Sequence, residues 1–108
     1  MFQKVRVSIL AIAFVGVPAI AQSQDAAENA FMDAKMKMHE SMPTDYTGDP
    51  DVEFVRSMIP HHQGAIDMAQ VELKYGKNPQ ARAFAEKIIE AQKAEIEQLN
   101  AWLKQHGH

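Results

Sequence analysis

Apolar residues recur along most of this chain at spacings of three and four, the period of a helix with one packed face, and no stretch alternates as a half-buried strand would. Three helical segments follow from this pattern and its punctuation. The first spans about residues 26–42, after a polar, alanine-rich lead-in at 22–28 that is expected to fray, and Pro43 stops it. Residues 44–48 read as loop. The second spans residues 50–75, where Asp49 caps, Pro50 takes the first helical position, and Asp51 and Glu53 face the positive end of the helix dipole. The third spans residues 79–104 behind the same combination, Asn78 then Pro79. Only Gly76 and Lys77 separate the second helix from that cap, so helices two and three must form an antiparallel hairpin. The predicted fold class is all-α, a small antiparallel helical bundle forming one domain over residues 22–108.

Within helix two, a rotation of about 100° per residue puts Phe54, Met58, Ala65 and Ala69 near the middle of the apolar face. His62 falls inside that arc, and His61 and Met68 share one edge. Pro60 cannot donate to the Arg56 carbonyl, so a kink or loosening is expected just before the two histidines. Helix three offers Ala81, Phe84, Ala85, Ile88, Ile89, Ile96, Leu99 and Leu103 as a packing stripe. Gln92 interrupts that stripe and Glu95 flanks it. A buried amide or carboxylate needs a partner, and the histidine pair is the evident one.

The first 21 residues read as a secretory signal. Lys4 and Arg6 precede an apolar run at 7–17, and Ala19-Ile20-Ala21 has small-x-small cleavage chemistry. The run is short for a membrane span and broken by Pro18, so export to the periplasm, with no membrane contact after cleavage, is expected. Cleavage leaves roughly 87 residues and removes two cations and no acid, moving the formal charge from −3 to about −5. An acidic chain with dispersed Lys and Arg is a poor nucleic-acid binder and a reasonable cation binder. Without cysteine, disulfides and thiolate metal sites are excluded.

Composition then changes the picture. Residues 32–68 hold every methionine except the initiator and three of the five histidines: Met32, Met36, Met38, His39, Met42, Met58, His61, His62 and Met68. Residues 23–51 contain no Leu, Ile or Val, so helix one has only Met, Phe and Ala for its apolar face. Methionine can be plain core filler or a partner-docking surface, and an isolated histidine can be a satisfied core residue. Thioether and imidazole together suit Cu(I) above other common metals. The candidate metal ligands are therefore Met58, His61, His62, Met68, Met36, Met38, His39 and Met42, with Gln92 and Glu95 as supporting polar groups. Cu(I) is preferred and Cu(II) admissible. His106 and His108 form a tail expected to fray, which either recruits Cu(II) weakly or has no role in the structure.

The run Asp51-x-x-Phe54-Val55-x-x-Met58-Ile59-Pro60-His61-His62-Gln63-Gly64-Ala65-Ile66-Asp67-Met68-Ala69, with Ile89-x-x-Gln92-x-x-Glu95-Ile96 and Trp102-Leu103 downstream, resembles the domain-of-unknown-function 305 (DUF305) family, including CopM-like periplasmic copper-binding proteins. The resemblance covers roughly residues 51–103. It implies a ferritin-like helical bundle, periplasmic export and copper tolerance, and it points to Met58, His61, His62 and Met68 with Gln92 and Glu95. With one Met-rich helix before the signature, completing four helices calls for a second copy or a short extra segment, which makes a homo-oligomer a natural expectation. The expected function is a non-enzymatic, Cu(I)-preferring protein that buffers copper or passes it to an accepting or exporting partner. The alternatives are a ferritin-like dimetal oxidase using His61, His62, Asp67, Glu72 and Glu95, and a metal-free module docking through its methionine face. No acid stands three residues before either histidine, so the paired Glu-x-x-His pattern of carboxylate dimetal sites is absent.

Overall fold

The computed structural model describes residues 2–16 and 18–108; Met1, and Val17 at the end of the predicted apolar leader, lie outside the described residues. Residues 2–16 carry no regular structure and are exposed. Among the described residues there are three helices and no strand: α1 (Ala19–Ser41), α2 (Pro50–Tyr75) and α3 (Pro79–Gln105). None is long and apolar enough to cross a membrane.

Helix α1 begins seven residues before the expected start at residue 26. The lead-in that was expected to fray is alanine-rich and intrinsically helical. Ile20, Ser23, Gln24 and Ala27 also share a cavity with Tyr75 and Lys77, so the extra two turns lie against the end of α2. The helix runs across Ala19-Ile20-Ala21 and ends at Met42, whose N–H donates to the His39 carbonyl.

The caps of α2 and α3 act as their sequences require. Asp49 accepts from the Asp51 N–H at 3.0 Å, and Glu53 reaches back to the Thr47 N–H at 2.8 Å. Asn78 accepts from the Ala81 N–H at 3.0 Å. The hairpin is locked by Arg82, which donates to the carbonyls of Leu73 (2.7 Å) and Gly76 (3.1 Å). Helix α2 passes through Pro60 without a break. The expected loosening therefore does not interrupt the helix, since one lost hydrogen bond is tolerated where both flanking turns pack on neighbours.

Helix α2 is central. It packs on α1 along one side and on α3 along the other, while the backbones of α1 and α3 stay apart among the described residues. The molecule is only 15 Å through its thinnest axis, close to the width of one helix with its side chains. A single layer buries little. The buried residues among those described are Ala34, Val52, Val55, Gly64, Ile66, Ala69 and Ala85. The expected α3 stripe is correspondingly half-covered. Ala85 is buried and Ile89, Ile96, Leu99 and Leu103 are half-buried, but Phe84 is 55% and Ile88 40% exposed. Phe54, placed mid-face on α2, is 62% exposed. These positions follow the helical period correctly; no fourth helix lies over them.

The loop between α1 and α2 is pinned by Arg56, which donates to Asp45 (2.9 Å) and Glu53 (3.2 Å). That hydrogen bond holds the Asp45 carboxyl below its ordinary range, and Asp45 in turn raises the Arg56 guanidinium. A depressed carboxyl contributes stability above its unfolded-state pKa and loses it as pH falls through the folded one. Asp45→Asn should thus lower the urea midpoint slightly at neutral pH and match wild type at strongly acidic pH. A gap that persisted in acid would assign the effect to loop conformation instead.

Candidate metal centre

Helical phase places Phe54, Met58, His61, Ala65, Met68 and Glu72, spaced four and three residues apart, along one line of α2. On α3 the residues Phe84, Ile88, Ala91, Glu95, Gln98 and Trp102 repeat the same spacing. Both lines border the open side of the layer. One cavity of about 430 Å³ lies between them, lined by Phe54, Val55, Met58, His62, Glu95, Gln98, Leu99 and Trp102. A second, of about 340 Å³, holds Phe31 of α1, Ala65, Met68 and Glu72 of α2, and Phe84 and Ile88 of α3.

His62 is the best-defined polar group in the first cavity. Its Nε2 meets the Glu95 carboxylate. The side chain is 15% exposed, while that of Glu95 is 51% exposed, so the carboxylate keeps water and needs no further protein partner. A carboxylate accepts only, so Nε2 is the donor in this pair, and in the neutral ring Nδ1 is left with its lone pair. That Nδ1 is buried and has no hydrogen-bond partner among the described residues. An imidazole held by a carboxylate through one nitrogen, with the other free to coordinate, is the arrangement metal-binding histidines use. Met58, one turn earlier on the same helix, lines the same cavity.

The other candidates do not join them. His61 is exposed, its ring centroid 6.5 Å from that of His62 at 61°, as the 100° step between neighbours requires. Met68 lines the second cavity, and ten residues of helix separate it from Met58 by about 15 Å. Met38, expected to share a site with Met58, instead packs on Gly64 and lines a third cavity with Lys37, Ser41, Pro60, Gln63 and Asp67. Met36 is 56% exposed, His39 is exposed, and Met42 is half-buried at the C-cap of α1. Gln92 is half-buried and lines none of these cavities. The eight ligands thus fall into separate groups because α1 meets α2 along the side where Gly64 lies, away from the α3 cavity. The oxidase set also scatters: Asp67 pairs with Lys37 at 3.6 Å and Gln63 at 3.0 Å, and Glu72 lies against Gly76. Among the described residues, no three His, Asp or Glu side chains converge on a point that could hold a metal ion.

Sequence reading missed two features. Gly64 is the close-approach point of α1: a Cβ there would fall 2.5–2.9 Å from the Met38 side chain. A glycine inside a strongly periodic helix was the available signal. The tail is also ordered, contrary to the expected fraying. Gly107 takes φ +80, the His108 N–H donates to the Leu103 carbonyl, and the Gly107 N–H to Lys104, closing a Schellman cap. His106 stacks on Trp102 at 3.9 Å, and its Nδ1 lies 2.7 Å from the Trp102 carbonyl oxygen.

A family model described as "Domain of unknown function (DUF305)" matches residues 16–103. The chain belongs to the DUF305 family. The match reaches beyond the signature of α2 and α3 to all of α1, so the Met-rich helix is part of the DUF305 domain rather than an appendage to it. No curated protein matches this DUF305 chain.

Proposed function

We propose that this protein is an exported, non-enzymatic, Cu(I)-preferring copper-binding protein, which buffers the ion or hands it to an accepting or exporting protein in the periplasm. The observation that carries the reading is the buried Nδ1 of His62, without a hydrogen-bond partner among the described residues, in an imidazole anchored through Nε2 by Glu95 and in a cavity that Met58 also lines. Leaving a buried polar atom unpaired costs free energy, and a soft cation relieves that cost with ligands that need no thiolate. Copper here is cargo. The two-ligand core leaves the ion open to a third donor from an acceptor, which suits transfer. Carboxylate ligation has less support, because Asp67 pairs with Lys37 and Glu72 lines a different cavity from His62.

The test is an anaerobic Cu(I) competition titration against a chromophoric chelator, following Trp102 emission in parallel, since this single tryptophan lines the cavity. Saturable competition with matched quenching is expected; no competition would remove copper from the reading. Glu95→Gln should weaken Cu(I) binding by roughly 10–100-fold, the usual cost of losing the carboxylate that orients a ligating histidine. Unchanged affinity would show that Glu95 only solvates the rim.

A further inference from the structure

We infer that a second copy of this chain docks on the open face of α2 and α3, antiparallel to the first, so that the two chains form a two-layer bundle. A helix layer with apolar residues on one open side is stable only when a second layer covers them. The exposed area has the size this needs. Phe54 and Phe84, 62% and 55% exposed, each leave on the order of 100 Å² uncovered. With Ile88 and the half-buried Met58, Met68 and Leu99, the face offers roughly 400 Å² of apolar surface, near the non-polar share of the ~800 Å² that each partner buries in a standard interface.

The register singles out a second copy. The α2 line is centred on residue 63 and the α3 line on residue 93, and both have the alternating four-three spacing of a helix-packing seam. Such a line is its own antiparallel complement about its centre. One two-fold axis can serve both lines only if the two centres lie level in the hairpin. They do: His62 meets Glu95 and Leu73 meets Arg82, which puts residue 63 level with residues 92–94. An axis through that level, in the plane of the layer, lays α2 on its copy and α3 on its copy. Phe84 then meets Trp102 of the second copy, Ile88 meets Gln98, and Met58 meets Met68. The interface is isologous and closed, so association stops at two chains.

The consequence for the site rests on the copper reading above. Met58 and Met68 cannot reach one ion within a chain, but across this axis each lies opposite the other, near His61. The second copy supplies the thioether that the single chain holds in a different cavity.

Sedimentation of the purified metal-free protein tests the association, and engineered cysteines test its register. The expected result is a species at twice the mass of the single purified chain, converted to monomer by Phe84→Glu, a substitution at an exposed position that should not disturb folding. The chain has no cysteine of its own, so an Ile88→Cys, Gln98→Cys pair should cross-link two chains under oxidation. Within one chain these positions stand about 15 Å apart, too far for a disulfide. A monomer at every accessible concentration overturns the proposal and assigns the face to a different protein; so does a dimer in which Ile88→Cys alone cross-links as well as the pair. For the shared ligand, Met68→Leu should weaken Cu(I) binding about tenfold in the wild-type background and not in Phe84→Glu. An equal loss in both would place Met68 in a site of its own chain. Failure to bind copper would sink the copper reading while leaving the sedimentation and cross-linking results to stand by themselves.

Discussion

Replacing Met58 and His62 together by leucine should reduce Cu(I) affinity by about a hundredfold, about 2.8 kcal/mol, with helical content unchanged. The two positions differ in what they lose. Met58→Leu conserves volume, so its packing cost stays below about 1.5 kcal/mol, and the change removes only the sulfur. His62→Leu removes the nitrogen proposed to bind copper, which is the same buried atom that has no hydrogen-bond partner among the described residues. Glu95 is left facing water, where a half-exposed carboxylate is comfortable. The double variant should therefore fold at least as well as wild type without metal and gain less stability when copper is added, since a ligand stabilises only through its affinity for the folded form. Circular dichroism and a thermal melt, each with and without Cu(I), read both effects. An affinity within threefold of wild type would place the site elsewhere, with His61 or the α1 methionines the next residues to change.

The second large effect is at Gly64. Gly64→Val should lower stability by about 2 kcal/mol, at the middle of the range for overpacking a close contact, and reduce Tm by roughly 10 °C for a domain of this size. Two terms oppose each other. Removing a mid-helix glycine gains up to about 1 kcal/mol of helix propensity. Against it, the new carbon falls within 3 Å of three Met38 atoms, including its Cβ, which moves only if α1 itself moves. The contact term wins, and the remedy follows from it: Met38→Ala in the same chain should restore much of the loss, a coupling that a double-mutant cycle measures. Additive losses would show that Gly64 matters for reasons other than the α1 contact.

The helices were legible because their boundaries are local. Asp49-Pro50, Asn78-Pro79, Pro43 and Gly76 each act within a turn or two, and the bounds of α2 and the start of α3 fall where those residues put them. The start of α1 was not local. It depends on Tyr75 and Lys77, more than fifty residues away, lying beside two turns that have no cap of their own. The site divides similarly. Met58, His62 and the polar group facing them could be read from one helical phase and one hairpin. Which side of α2 receives α1 could not, because helix one carries methionines around much of its circumference and its pattern fits either side. A single glycine, Gly64, decided it, and so placed Met38 away from Met58.

The sequential packing of α1 on α2 and α2 on α3 also bears on how the chain reaches its native state. Among the described residues each helix backbone packs only on its neighbour in sequence, so most contacts form by closing short loops, and domains built this way fold in microseconds to milliseconds. No disulfide has to form first. The hairpin of α2 and α3 carries the more extensive packing and the Arg82 lock, whereas α1 meets α2 over a smaller contact that includes Met38 against Gly64 and the Lys37–Asp67 pair. It should therefore be the first helix to open in native-state hydrogen exchange, with its amides exchanging at a lower free energy than those of the hairpin.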